Sequence, residues 1–349
     1  MSEPLIRRGI DLQHRHTFRL PARAECFVEL DDPAELPALR EQFPEGPTLV
    51  LGEGSNLLLT DDVPGLTLAP RFRGRTLKAE PGGTRIRLMA GERWHEAVLW
   101  TLAQGLGGLE NLALIWGHCG AAPIQNIGAY GIELECFVET VEVYDWQSGR
   151  LRRLRREECE FGYRDSCFKR WPGAFVIVAI ELLLPTAWMP VLGYAGLQAR
   201  LERLFPGQAP TPSKIAEAVM SLRREKLPDP EAMPNAGSFF QNPIVPASQA
   251  LGLLQEFPQL PHWPHSGDLV KLGAAWLIEQ AGCKGLRRGD AGVSAQHALV
   301  LVNHGSASGA EVWSLVREVQ ARVHARFGVE LSPEPLLLPE TGAAATLTA

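Results

Sequence analysis

The chain has 349 residues, 45% of them hydrophobic and 21% charged, with a formal net charge of −6 at neutral pH. That length suggests two domains or three small ones, and the composition excludes a largely disordered chain. The longest apolar run, residues 174–185, carries Glu181 and falls short of the ~18 residues of a membrane-spanning helix, while a pI of 5.9 removes the general attraction that nucleic-acid binders exploit.

Taken in chain order, residues 26–30 read as a strand. A helix from Pro33 to about Gln42 follows, with Asp32 as its cap and Pro33 in its first turn. Residues 48–51 form a buried strand that runs into Gly52-Glu53-Gly54-Ser55-Asn56, and the apolar pattern resumes at residues 57–59. This is strand, glycine turn, strand, and not the strand, turn, helix of a dinucleotide fingerprint. Alternation marks a strand at 84–90, and helical spacing over 92–104 ends at Gly105. A glycine-rich segment occupies 115–131, and strands of an antiparallel sheet are expected at 138–144, 151–154 and 175–184. The arginines at 150, 152, 153, 155 and 156, neutralised by Glu157, Glu158 and Glu160, read as a solvated turn or strand edge.

Residues 206–212 read as a linker. Helices are expected at 213–222, 268–282 and 308–327, the last opened by the capping box Ser308-x-x-Glu311, with a strand at 297–302 and a frayed tail from about 339. The six cysteines contain no C-x-x-C pair and read as reduced, mostly buried thiols. Arg7, Arg8, Asp11 and Arg15 interrupt any secretory apolar region, so a cytoplasmic protein is expected. The nine histidines show no metal-ligand spacing.

Five segments carry candidate chemistry. The turn Gly52–Asn56 lets backbone approach a ligand, and its N–H groups can form an anion nest suited to a pyrophosphate; taken alone, it also reads as a tight hairpin turn. The segment from Gly117 through Gly120, Ala121, Gln125, Asn126, Gly128 and Ala129 to Tyr130 and Gly131 has almost no large side chain in its first half. It offers a surface against which a flat ligand can lie. In Tyr163-Arg164-Asp165-Ser166, Arg164 either joins a surface ion pair or is oriented by Asp165 toward an anionic group. Lys226 is a candidate phosphate partner, and Gly237-Ser238-Phe239-Phe240-Gln241-Asn242 places a serine in an apolar surround without a hydrolase context. Glu334 lies between Pro333 and Pro335, either on the surface or set rigidly in a cleft.

The joint order of these motifs resembles the UDP-N-acetylenolpyruvoylglucosamine reductase (MurB) family over nearly the whole chain, in the branch with a substrate-closing tyrosine loop. The resemblance implies an α+β fold: a vanillyl-alcohol-oxidase type FAD-binding half made of two small α+β subdomains, plus a C-terminal α+β substrate domain. The expected divisions are 1–70, 71–210, 211–330 and a C-terminal segment 331–349 carrying Glu334. It implies FAD as cofactor, NADPH as reductant, and UDP-N-acetylglucosamine enolpyruvate as substrate, reduced to UDP-N-acetylmuramate for peptidoglycan. A monomer with no nucleic-acid partner and no membrane insertion is expected.

By the same resemblance Arg164, Ser238 and Glu334 are catalytic. Gly52, Gly54, Ser55, Asn56, Gly117, Gly120, Ala121, Gln125, Asn126, Gly128, Ala129 and Tyr130 bind the cofactor, and Tyr163, Tyr194, Lys226 and Asn242 bind substrate. Hydride addition to the enolpyruvyl group builds charge on the neighbouring carbon; Arg164 supplies a permanent cation, Glu334 polarises the substrate carboxyl, and Ser238 delivers the proton. The chain departs from the family pattern at His16, Trp116 and His118, where asparagine, proline and a small residue are usual. Two other readings use the same residues: a flavin oxidase acting on an alcohol, and a flavin- or nucleotide-sugar-binding regulator without turnover.

Overall fold

The computed structural model describes residues 4–339, and the chain divides into two compact units. The first takes in Ala24–Glu53 and Val63–Glu225 with the segment ending at Ile10. The second takes in Asp11–Arg23, Gly54–Asp62 and the chain from Lys226 onward. Each has its own apolar core.

In the first unit, strand Val63–Pro70 lies between Arg23–Leu30 and Leu49–Val50 and runs parallel to both. Parallel neighbours need a crossover, and helix Leu36–Gln42 provides it. The sequence signal at its start holds: a 3-10 turn at Pro33–Glu35 leads in, and the Asp32 carboxylate accepts from the Ala34 amide at 2.9 Å.

The second sheet of this unit is antiparallel, in the order Arg150–Arg155, Val138–Asp145, Phe175–Pro185, Gly83–Met89, Arg75–Glu80. Its central strand, Phe175–Pro185, is buried almost throughout, which explains the longest apolar run in the sequence. Glu181 within it is satisfied by the Thr140 hydroxyl at 2.9 Å and faces Arg153 at 3.7 Å. Among the described residues no helix is long and apolar enough to cross a membrane. The arginine run forms an edge strand, with Arg152 on Asp145 at 2.9 Å and Arg156 near Glu135 at 3.4 Å. Charge on an edge discourages pairing with another chain. Helix Trp94–Ala103 buries Trp94, Ala97 and Val98. Helices Leu197–Leu204 and Pro212–Lys226 are tied by Arg200, which reaches the Ser221 hydroxyl and Glu225.

In the second unit, strands Asn235–Ser238, Val300–Asn303, Ala291–Val293 and Arg287–Arg288 form one antiparallel sheet in that order. Helix Gly309–Phe327 buries the stripe Val312, Leu315, Val316, Val319 and Val323, and the Ser308–Glu311 capping box forms in both directions. Leu57–Leu59 runs parallel to Leu336–Leu338. Phe239 packs edge-on against both Phe18 and Phe240 in the core.

The helix expected over 268–282 is only partly formed. Leu269–Leu272 is instead the middle strand of a three-stranded sheet with Ile244–Pro246 and His262–Pro264, and the helix is confined to Ala274–Gln280. Pairing on both edges outweighs the helical spacing of the leucines. The break falls at Gly273, whose amide donates to the Pro261 carbonyl at 2.7 Å. The expected strand at 297–302 is likewise displaced to Val300–Asn303, because residues 297–300 close a turn: the Val300 amide donates to the His297 carbonyl at 3.0 Å. The tail from residue 340, expected to fray, lies outside the described residues.

Gly309 gives a stability prediction. A Cβ there would stand 1.8 Å from the Leu59 carbonyl oxygen, so Gly309→Ala is expected to destabilise by about 3 kcal/mol or more through backbone displacement. Gly252, inside helix Ala247–Glu256 with open space around it, is the control: alanine there is expected to stabilise by roughly 0.5–1 kcal/mol. Urea midpoints of the two variants check both signs.

Candidate active site

In the first unit the glycine-rich segment is held by an asparagine that the sequence reading assigned to the cofactor. Asn126 is fully buried at a left-handed φ of 45°. Its amide donates toward Glu133, Glu135 and the Gly162 carbonyl at 3.3, 3.1 and 3.1 Å, and its oxygen accepts the Glu135 amide at 3.0 Å. The side chain is thus spent inside the protein, fastening the segment to the loop that carries Tyr163 and Arg164.

Arg164 also has a left-handed φ, 55°. Its guanidinium donates to the Gly128 carbonyl at 2.8 Å and lies over the Tyr163 ring, 5.3 Å from the centroid. The Asp165 carboxylate pairs with Arg170 at the surface. Arg164 is held by Gly128 and by Lys169, which donates to the Arg164 carbonyl at 2.9 Å. A Cβ on Gly128 would crowd Arg164 Nη1 at 3.0 Å and Glu133 Cγ at 2.9 Å, so a side chain there displaces the guanidinium.

Other small residues in the segment also answer to packing. A Cβ on Gly120 would meet Ala90 Cβ at 2.6 Å. Tyr130, at φ 49°, is buried, and desolvation pushes its phenol up to about 12. Tyr194, exposed, meets it edge-on at 4.7 Å between ring centroids. Asn111, which the sequence reading missed, is buried and donates to the Tyr130 carbonyl at 2.8 Å and the Val191 carbonyl at 2.9 Å. The polar pair Glu110-Asn111, with leucine on either side, was the available signal.

Near Gly52 the same unit presents features suited to an anion. Among the described residues, none supplies an acceptor to the amides of Gly52 and Glu53. Glu53 is turned away, accepting the Gly117 amide at 2.9 Å and pairing with Arg93 at 2.8 Å. The imidazole of His118 is buried, and among the described residues Nδ1 has no partner. Arg71, Arg73 and Arg93 act on it, and burial together with these cations holds it down at about 4. Free amides, a positive surround and an unmatched buried polar atom fit the diphosphate of a dinucleotide cofactor.

In the second unit the chain brings Ser238, Glu334 and Asn56 together. The Glu334 amide donates to the Phe239 carbonyl at 2.8 Å, Gln241 donates to the Ser332 carbonyl at 3.0 Å, and Asn56 Nδ2 reaches the Glu334 carbonyl at 3.3 Å. Ser238 and Glu334 are both half-buried. The strand is kinked just before the serine: Gly237 has φ 73°, its amide bonds Asn235 Oδ1 at 2.8 Å, and the pairing register shifts between Asn235 and Ser238. Gly54, at φ 60°, must be glycine because a Cβ would lie 2.4 Å from His16 Cβ. Asn242 spends its oxygen on the Ala274 amide at 3.0 Å, at the start of helix Ala274–Gln280. Lys226 is exposed and is one of the cations that act with burial to depress His297. Among the described residues no group of three or more His, Cys, Asp or Glu could hold a metal ion.

The fold and this anion-suited turn define the class: an α+β FAD-binding flavoprotein of vanillyl-alcohol-oxidase type. Residues 24–155 match the FAD binding domain family and residues 229–338 match the UDP-N-acetylenolpyruvoylglucosamine reductase C-terminal domain family. The chain is 48% identical over 340 residues to UDP-N-acetylenolpyruvoylglucosamine reductase of Xylella fastidiosa (strain M12), covering 96% of each. It is 48% identical over 338 residues to that of Chromobacterium violaceum, covering 95% of this chain and 99% of the relative. The crystal structure of the reductase (MurB) from Thermus caldophilus superposes with a TM-score of 0.65 at 27% identity, covering 96% of this chain and all of that one. 6-Hydroxy-D-nicotine oxidase from Arthrobacter nicotinovorans shares the fold, with a TM-score of 0.53 at 12% identity over 95% of this chain and 87% of the oxidase. The chain therefore belongs to the UDP-N-acetylenolpyruvoylglucosamine reductase family and is an FAD-dependent oxidoreductase.

Proposed function

We propose that this enzyme reduces the enolpyruvyl ether of UDP-N-acetylglucosamine enolpyruvate to the lactyl ether of UDP-N-acetylmuramate. NADPH is the reductant, and the reaction belongs to peptidoglycan precursor synthesis in the cytoplasm. The observation that carries this reading is near-complete coverage by reductases of that name at 48% identity, joined to the Phe240–Pro333 bridge and the Glu334–Phe239 backbone bond, which bring the segments of Ser238 and Glu334 together.

FAD, when bound, supplies the hydride that reaches the terminal enolpyruvyl carbon. The remaining chemistry falls to side chains. Ser238 delivers a proton to the adjacent carbon, and the kink at Gly237 fixes the direction from which its hydroxyl acts. Arg164 offers a cation that needs no proton bookkeeping for the substrate carboxylate as negative charge builds beside it. Glu334, in a backbone clamped by Phe239 and Asn56, polarises the carboxyl. Tyr163, Tyr194, Lys226 and Asn242 bind substrate, Tyr194 by closing over its diphosphate. The cofactor residues are Gly52, Gly54, Ser55 and Asn56 in the turn, and Gly117, Gly120, Ala121, Gln125, Asn126, Gly128, Ala129 and Tyr130 in the glycine-rich segment. The division into residues 1–70, 71–210, 211–330 and 331–349, acting as a monomer, belongs to the same proposal.

The test is an NADPH-oxidation assay on the purified, FAD-loaded protein. Oxidation that depends on the enolpyruvyl sugar is expected. NADPH consumption that ignores the sugar, or none in its presence, overturns the reading. Oxygen uptake with a simple alcohol points to an oxidase instead.

A further inference from the structure

His118 stands where the family usually has a small residue, yet its imidazole is only 4% exposed. Nothing in its own strand-like run explains the ring. The flanking backbone is held without it: Cys119 donates to the Glu92 carbonyl at 2.8 Å, Gly120 to Ala90 at 2.9 Å, Trp94 to Gly117 at 2.9 Å and Ala121 to His118 at 3.0 Å. The side chain instead abuts the phosphate-type turn: a Cβ built on Gly52 would lie 3.4 Å from Nδ1 of His118. Nδ1 is buried and finds no hydrogen-bond partner among the described residues, an arrangement that costs free energy unless a ligand completes it. The charged groups around it are Arg71, Arg73 and Arg93, with Glu53 engaged by Arg93 and the Gly117 amide.

We propose that His118 is a phosphate ligand of the dinucleotide cofactor, its Nδ1–H donating to a diphosphate oxygen beside Gly52. This rests on the reading of the Gly52 turn as the diphosphate site and adds to it a side chain from outside that turn. The depressed basicity of the ring supports the assignment: at neutral pH the imidazole is uncharged and holds one proton, and an anion at Nδ1 selects the tautomer that carries it there.

The test uses the full-length protein freed of flavin and titrated with FAD by fluorescence quenching. Riboflavin, which lacks phosphate, is the second probe. His118→Ala is expected to weaken FAD at least ~10-fold, the scale of a lost hydrogen bond to a charged group, while leaving riboflavin unchanged. Asparagine places its amide where Nδ1 stands, so His118→Asn is expected to retain most of the affinity, whereas His118→Gln, which reaches further, is not. FAD binding by the alanine variant equal to wild type overturns the proposal. So does equal weakening of FAD and riboflavin, which marks a packing defect. If the alanine variant does not fold, the Asn and Gln variants carry the comparison, and Asn binding no better than Gln is the overturning result. Failure of the wild-type protein to take up FAD overturns the reading of the turn itself.

Discussion

Replacing Ser238 by alanine is expected to leave flavin reduction by NADPH near its wild-type rate and to slow reoxidation by the enolpyruvyl sugar ~10²-fold or more, the usual scale of lost acid catalysis. The two half-reactions separate because the role proposed for the hydroxyl falls only where a proton reaches carbon. The local structure makes the substitution clean. Ser238 ends a strand whose neighbours Phe239 and Phe240 are each 1% exposed, and the Phe239 amide is held by the Leu299 carbonyl at 2.7 Å. Removing one oxygen from a half-buried residue leaves those anchors in place. Stopped-flow absorbance of the flavin reads both steps, and equal slowing of the two shows that the serine serves something other than proton delivery.

Arg164→Met is expected to cost ~10²–10³-fold in the same oxidative half-reaction, the scale of removing one preorganised group from a developing negative charge. Arg164→Lys is expected to rescue little. The guanidinium holds the Gly128 carbonyl at 2.8 Å while stacking on Tyr163, and a single ammonium cannot keep a planar fork's geometry. Gly128→Ala is a useful companion, because its methyl crowds Nη1 at 3.0 Å and is expected to impair the same step without removing the charge. An Arg164→Met enzyme with a wild-type oxidative half-reaction excludes the electrostatic role.

What could be read from the sequence follows from how local its causes are. The Asp32 cap, the Ser308–Glu311 box and the strand–turn–strand around Gly52–Asn56 are each decided within a few residues, and each is found where expected. The start of helix Ala274–Gln280 is not local: its first amide is capped by Asn242, 32 residues earlier, so residues 269–272 were open to misreading. Asp165 likewise had two arginines within reach in sequence, and the spatial turn gave it Arg170. The motifs singled out Ser238 and Glu334 separately, but only the bridge between Phe240 and Pro333 brings their two segments together. His118 could be noticed as unusual, while its apposition to Gly52 required the fold.

The parallel pairing of Leu57–Leu59 with Leu336–Leu338 has a consequence for biosynthesis. Asn56 precedes its partner Glu334 by 278 residues, so at ~5–20 residues per second the early leucines wait some tens of seconds for the late ones to leave the ribosome. Phe18, Leu20 and Leu58 wait with them, since their core is completed by residues 236–331. The nascent polypeptide therefore carries an apolar segment without its mate throughout elongation, a natural client for chaperones. A fragment begun at residue 226 lacks those N-terminal core residues altogether.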